Sequence, residues 1–452
     1  MEIPLWALAC GVLVLVAVRA VVWLSSMPPV GQPAAAVRAL PGAPVRHAGW
    51  SSQAVPPDSD GVYDAVVVGG GPAGLAVGAA LAQAGLSYVV VEKEEAAGTS
   101  WQRHYHRLCL HSLKGVSHLP YVPFPDHWPQ FVPREDFARY LAAYPLLLNL
   151  NVRTGTAVVA IADRPDGRPG YAVRVRGDGG DGPVDELIAR HVVVATGDNA
   201  SPRIPHFPGA SSFGGTLIHS SEYVSGEAFR GARALVVGFG NSGSEICLDL
   251  YERGAALVAT VIRSPLNVLS RNRTMYLEPL LGLVRALFFN APQALDALAP
   301  PARPFLFTSL ASRGVTAPHP DVGLFENLRR RHKAPVVDIG QFALVASGDI
   351  AVHRAIDAIT PTGAIVDGGT ELQLDVIILA TGYNRALDTL LPQHVLDDVY
   401  DEHGGIAVSG KPVPGHERLY FCGFDDFLGR LFQIRLEALA IAASIQAQCS
   451  QV

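Results

Sequence analysis

Asp64-Ala65-Val66-Val67-Val68-Gly69-Gly70-Gly71-Pro72-Ala73-Gly74 is an apolar run that breaks into a glycine-rich turn, and the same design returns 169 residues later as Ala234-Leu235-Val236-Val237-Gly238-Phe239-Gly240-Asn241-Ser242-Gly243. A lone G-x-G-x-x-G is weak evidence, so the surroundings decide. Behind the first turn, Leu75 to Ala84 is Ala/Leu-rich and reads as a helix stopped by Gly85; Tyr88 to Val91 then reads as a second strand ending on Glu92. The first glycine permits a tight turn, the second lets backbone approach a pyrophosphate, and the third allows close packing of helix on strand. Phosphate charge would rest on the helix N-terminus, where unpaired N–H groups and the helix dipole favour an anion. Glu92, 18 residues after Gly74, suits the two hydroxyls of an adenosine ribose and would repel a 2'-phosphate. FAD or NAD fits this first unit; NADP does not.

In the second unit, Glu245 to Arg253 reads as helix and Leu257 to Ile262 as strand, ending on Arg263-Ser264. A cation and a hydroxyl where the first unit has a glutamate suit the 2'-phosphate of NADPH. The alternative is an arginine that is merely exposed at a strand end. Together the two motifs favour a flavoprotein that takes hydride from NADPH. The expected fold is α/β, with two Rossmann-like dinucleotide-binding domains, the second inserted in the first. The boundaries read as residues 61–205 for the first part of the FAD domain, 206–375 for the NADPH domain and 376–452 for the second part of the FAD domain.

A chain of 452 residues has room for two or three domains and a substantial core. The formal charge of −6 gives no reason to expect a nucleic-acid partner, and the basic run Arg329-Arg330-Arg331-His332-Lys333 reads as a solvated loop. Five scattered cysteines, Cys10, Cys109, Cys247, Cys422 and Cys449, include no C-x-x-C or C-x4-C pair. That argues for a reducing compartment and against the flavin disulfide reductases, which need a paired dithiol. His104, His106 and His111 lack cysteine or carboxylate partners at zinc spacing, so no metal site is expected.

The N-terminus is the other strong signal. Ile3 to Leu24 is apolar except for Pro4 and Arg19, and as a helix it would span roughly 33 Å, enough for a bilayer core of about 30 Å. Arg19 can snorkel, and Trp6 and Trp23 sit where interfacial aromatics are favoured. A cleaved signal peptide is the rival, with Ala34-Ala35-Ala36 as its cleavage region, but only Glu2 precedes the apolar run where a basic stretch belongs. Residues 1–24 are therefore read as a transmembrane anchor and 25–60 as a proline-rich tether. Arg19, Arg38 and Arg46 place the catalytic body on the cytoplasmic side, facing away from the endoplasmic reticulum lumen in a eukaryote or inside the cell membrane in a bacterium. Leu277 to Leu310, almost without charge, reads as either the lining of an apolar substrate pocket, a membrane contact or a buried helical pair.

Between the two units, Phe213-Gly214-Gly215-Thr216-Leu217-Ile218-His219-Ser220-Ser221-Glu222-Tyr223 matches F-x-G-x-x-x-H-x-x-x-[F/Y] and resembles the identifying sequence of class B flavin-dependent monooxygenases. Further segments are similar to the plant YUCCA type. They include Trp101-Gln102 with Leu108, Leu110 and His111, then Pro123-Phe124-Pro125, Pro335-Val336-Val337-Asp338-Ile339-Gly340, Ala380-Thr381-Gly382-Tyr383 and Leu419-Tyr420-Phe421-Cys422-Gly423-Phe424. The resemblance implies FAD, NADPH and dioxygen, an oxygenated flavin, and oxidative decarboxylation of a 2-oxo acid such as indole-3-pyruvate to indole-3-acetate, as in auxin biosynthesis. An N- or S-oxygenating enzyme acting on amines or sulfides, or a non-oxygenating FAD redox sensor, is the alternative. The chemistry belongs to the cofactor, so no catalytic side chain is assigned.

By the same resemblance, Gly69 to Gly74, Glu92 and Trp101 hold FAD, and Thr196 of the Ala195-Thr196-Gly197 turn crosses near the cofactors. Gly423 and the helix expected over Leu431 to Ile445 aim a helix N-terminus at the flavin. Gly238 to Gly243, Arg263 and Ser264 hold NADPH, with Asn241 and Ser242 keeping NADP+ beside the oxygenated flavin. His219 is expected to be a structural link rather than a catalytic acid. Tyr223-Val224 departs from the Baeyer-Villiger fingerprint, and His111-Ser112-Leu113-Lys114-Gly115 lacks the flavin-side asparagine of animal-type enzymes.

Overall fold

The computed structural model describes residues 55–177, 182–271, 310–316, 334–425 and 429–450. The apolar N-terminal segment, nearly all of the tether, the stretch from Leu277 to Phe307 and beyond, and the basic run at 329–333 lie outside the described residues. Among the described residues, no helix is long and apolar enough to cross a membrane.

Valine-rich runs that are apolar on both faces form parallel sheets covered on both sides. The first sheet runs Pro412–Val413, His416–Phe421, Val184–Val194, Val62–Val68, Tyr88–Val91, Val152–Arg153, and is parallel from His416–Phe421 onward. Alternation along Val62–Val68 divides its two coverings. Ala65 and Val67 pack under the helices Pro72–Gln83, Arg134–Leu147 and Arg430–Cys449. Val66 and Val68 face the antiparallel extension that carries Tyr171, Val173 and Val175.

The second sheet is fully parallel, in the order Ile350–His353, Leu257–Val261, Arg233–Val237, Val376–Leu379, Thr216–His219. Ala234 and Val236 face the Asn241–Glu252 and Gln341–Ser347 helices through Ile246, Leu250 and Phe342. Leu235 and Val237 face a three-stranded antiparallel layer through Ile359, Ala364 and Val366. The two-unit, inserted architecture is thus the one expected, with one boundary moved. Val376–Leu379, placed by the sequence reading at the start of the returning FAD segment, pairs with Arg233–Val237 and Thr216–His219 in the second sheet. The chain goes back only after Ala380.

Both crossings between the units run side by side. Ser201-Pro202 on the outward path pairs antiparallel with Tyr383-Asn384 on the return. Arg203 N–H donates to Gly382 O at 2.9 Å, and Thr381 Oγ1 donates to Arg203 O at 2.5 Å. Asp198 ties the crossing to the C-terminal helix by accepting from Arg385 Nε at 2.6 Å and Arg430 Nη1 at 2.5 Å.

Candidate active site: two dinucleotide cradles

At the first cradle, Gly69 has φ +106°, and a Cβ there would stand 2.7 Å from Ala195 O. A Cβ on Gly74 would stand 1.8 Å from Gly69 O, so the helix rests directly on the turn's own carbonyl. Gly71 caps the Pro72–Gln83 helix with no side-chain bond to its first turn, and Pro72 at the start forfeits no hydrogen bond there. The first intrahelical bond is Leu75 N–H to Gly71 O, which leaves the N–H groups of Ala73 and Gly74 pointing out of the helix end.

Glu92 is buried at the strand end. Its Oε2 accepts from Gly70 N–H at 2.6 Å and its Oε1 from Glu94 N–H at 2.9 Å. Each carboxylate oxygen has a second lone pair for a ribose hydroxyl. Position 70 must be glycine here, because a Cβ would press on Glu92 Cβ at 2.8 Å. Two observations fit a flavin dinucleotide: space is open within 4 Å of a Cβ on Gly71, and Thr196 Oγ1 is buried without a protein partner beside the turn. Trp101 packs edge-on against Phe137 at 4.5 Å and helps wall this side.

The second cradle repeats the geometry. Gly238 has φ +105°, with a Cβ there 2.5 Å from Ala380 O, and a Cβ on Gly243 would stand 2.1 Å from Gly238 O. Gly240 caps the Asn241–Glu252 helix and faces open space. Arg263 and Ser264 are exposed just beyond the Leu257–Val261 strand, free to meet a 2'-phosphate. Phe239 is instead buried and packs edge-on against Phe342 at 5.5 Å.

The Asn241 amide is bonded within the protein: its Nδ2 donates to Pro335 O at 3.1 Å and its Oδ1 accepts from Val337 N–H at 2.8 Å, so it splints the Val336–Asp338 strand to the helix. Ser242 is half-buried in the first turn of the same helix. The Gly423 N–H is donated to Glu437 Oε2 at 2.8 Å. Gly423 (φ +87°) lies so near the first turn that a Cβ would meet Ala73 Cβ at 2.9 Å, and the following helix starts at Arg430 and ends at Cys449. Burial pushes the Glu437 carboxyl up to about 7 against the opposing Gly423 and Ser409 hydrogen bonds.

The His219 ring is bonded within the protein on both nitrogens. Ser221 N–H donates to its Nδ1 at 3.1 Å, so the proton sits on Nε2 and is donated to Gly382 O at 3.1 Å. Burial lowers its pKa, with the Gly382 bond opposing.

Sequence reading missed the seam where the units meet. His111 Nε2 donates to Glu245 Oε1 at 2.5 Å, Arg107 makes two bonds of 2.8 Å to Glu252, and His106 N–H donates to Val224 O at 2.9 Å. Glu245 and Glu252 are seven apart on one helix, a spacing that puts both on one face. That spacing was the available signal.

Fold and site therefore define a two-dinucleotide oxidoreductase, with an FAD-type cradle and an NADP-type cradle in one chain. The Flavin-binding monooxygenase-like family matches residues 64–396, and the chain belongs to that family. It is a flavin-dependent monooxygenase, with FAD and NADPH as cofactors. The chain is similar to indole-3-pyruvate monooxygenase YUCCA1 of Oryza sativa subsp. japonica, 37% identical over 86% of this chain and 92% of the relative, and to YUCCA4 of the same plant, 37% identical over 81% and 84%. Among solved structures it shares the fold of a flavin-containing monooxygenase from Stenotrophomonas maltophilia (24% identity, TM-score 0.60, 86% of this chain and 99% of that one). The OTEMO complex with FAD and NADP has the same fold (18% identity, TM-score 0.61, 88% and 87%).

Proposed function

We propose that the protein oxidatively decarboxylates an aryl 2-oxo acid, with indole-3-pyruvate as the leading substrate and indole-3-acetate as product. The observation that carries this reading is the 37% identity to indole-3-pyruvate monooxygenases over 86% of the chain. The balanced reaction consumes the 2-oxo acid, NADPH, a proton and O2, and yields the acid one carbon shorter, CO2, NADP+ and water. Bound FAD would supply the redox step, accepting hydride and activating dioxygen.

The chain's own residues do the holding. The Ala73 and Gly74 N–H groups and the helix end would receive the FAD pyrophosphate, Glu92 the ribose, and Thr196 Oγ1 a polar edge of the cofactor. Arg263 and Ser264 would select NADPH over NADH. The paired crossings and the Asp198–Arg385–Arg430 network hold the two cradles in one relative placement, which orientation of two cofactors requires.

We place residues 3–24 in a membrane as an anchor, with the body cytoplasmic on residues 25–60. The apolar run and the arginines that follow it support this. Extraction by detergent but not by alkaline carbonate is the expected behaviour; recovery in the soluble fraction would contradict it.

Product analysis under NADPH and O2 tests the activity. Indole-3-acetate and CO2 formed in equal amounts from indole-3-pyruvate are expected. Turnover of amines or sulfides without CO2 release would replace this reading, and peroxide alone would remove it.

A further inference from the structure

A cavity of about 330 Å3 opens on the seam between the two units. Arg107, Cys109 and His111 form its wall on the FAD side; Glu245, Glu252 and Arg271 form its wall on the NADPH side. That volume is at the small end of the range for small-molecule sites, about 300–1,000 Å3.

The formal charges of its wall balance, Arg107 and Arg271 against Glu245 and Glu252, but the pairing is uneven. Glu252 is held by both arms of Arg107, and Glu245 accepts from His111. Arg271 is left over. It follows the Val268–Ser270 strand, reaches across the seam to lie over the Phe131 ring at 4.5 Å, and makes no ion pair among the described residues. Its Nε is buried without a hydrogen-bond partner. A buried donor left unsatisfied is costly, more so on a charged group, so the arrangement lacks an acceptor.

We propose that Arg271 anchors the carboxylate of the substrate in this cavity. This rests on the 2-oxo acid reading above. A guanidinium fork matches a carboxylate with two parallel N–H···O bonds. The two glutamates in the wall, each already bonded to a neighbour, leave Arg271 as the cation to meet an anion and disfavour a phosphate dianion more than a monoanion. Phe131, under the guanidinium, offers an aromatic surface at the anchored end. Both units contribute walls to this cavity.

The test uses the FAD-loaded full chain. Binding of indole-3-propionate, a carboxylate without the reactive oxo group, and of its neutral amide is measured by calorimetry for wild type, Arg271→Met and Arg271→Lys. FAD content and the KM values for NADPH and indole-3-pyruvate are measured alongside. Arg271→Met should weaken the carboxylate roughly 10- to 100-fold and raise the indole-3-pyruvate KM in step, leaving amide affinity, FAD content and the NADPH KM in place. Arg271→Lys should fall between, and it serves as the reading variant if the methionine form loses FAD. Equal losses for carboxylate and amide, an effect on the NADPH KM alone, or a wild type that does not distinguish the two ligands would overturn the anchor. Failure of the anchor and failure of the reaction are separable. Turnover of 2-oxo acids with an unchanged KM in Arg271→Met removes the anchor and keeps the function. Loss of propionate binding in an enzyme that oxidises only amines or sulfides keeps the anchor and removes the function.

Discussion

The two glycine turns are built alike where the backbone touches itself and differently where a ligand would be read. Gly69 and Gly238 share φ near +105° and lie against the carbonyls of Ala195 and Ala380, while Gly74 and Gly243 sit on the carbonyls of Gly69 and Gly238. Those two crossing loops are themselves a repeat, Ala195-Thr196-Gly197 and Ala380-Thr381-Gly382. The units part company at the second turn residue and the strand end. In the first, Gly70 leaves room for Glu92, whose carboxylate takes the Gly70 N–H. In the second, the strand end is the exposed Arg263, nothing needs that room, and Phe239 fills it against Phe342. The comparison suggests a division of labour to test: the outer glycines make the turn, and the two cradles differ at the second turn residue and the strand end, where we propose the dinucleotide is chosen.

The largest effects should come from the shared part. Gly74→Ala forces a methyl onto Gly69 O, and Gly243→Ala does the same to Gly238 O, each costing more than about 3 kcal/mol unless the helix shifts. The expected result is asymmetric. Gly74→Ala should purify without FAD, whereas Gly243→Ala should keep its flavin and lose reduction by NADPH at least about 100-fold. Loss of FAD from both would break the claim that the cradles serve different dinucleotides.

Next in size is the coenzyme choice. Arg263→Ala should raise the NADPH KM by 1.5–3 kcal/mol, about 10- to 100-fold, with little change for NADH, because a charge-assisted bond to the 2'-phosphate is lost. Equal changes for both coenzymes would remove Arg263 from that role.

A smaller change should follow Glu92→Gln. The amide oxygen can still accept from Gly70 N–H, but the charge assistance goes; FAD affinity should fall by about 1 kcal/mol, roughly fivefold, as followed by flavin release on dilution. An unchanged affinity would mean that Glu92 only braces the turn.

The smallest effect concerns how each crossing loop is secured. His219 holds Gly382 in the second unit, and its folded pKa is lowered by burial. The unfolded chain therefore binds more protons below the ordinary value of about 6.5. The stability this group provides is fully present above that pH and declines as pH falls toward the folded value. His219→Gln should lower melting temperature at pH 7.5 and make its acid-side fall shallower, with less than about 1 kcal/mol involved. Identical slopes for variant and wild type would deny His219 that part.

The sequence made some of this legible and hid the rest for a physical reason. Gly69 to Gly74, Glu92 and Arg263 are readable because turn, helix and strand end fall within one short βαβ unit, where spacing dictates position. Partners set by long-range packing are not. Asn241 looks like a coenzyme contact in its turn, and only the return of Pro335 and Val337, more than ninety residues on, shows where its amide is used. Val376–Leu379 reads as a buried strand from its own residues, yet nothing local says which sheet receives it. The partner of the Gly423 N–H is likewise set at long range, by Glu437 of the C-terminal helix.

The most direct test of the division of labour is anaerobic mixing of the FAD-loaded protein with NADPH or NADH, following the flavin's visible absorbance in wild type and Arg263→Ala. The structure predicts rapid bleaching of wild type by NADPH, slow bleaching by NADH, and convergence of the two rates in the variant. Equal rates in wild type, or a flavin that NADPH cannot reduce, would contradict the assignment of the two cradles to FAD and NADPH.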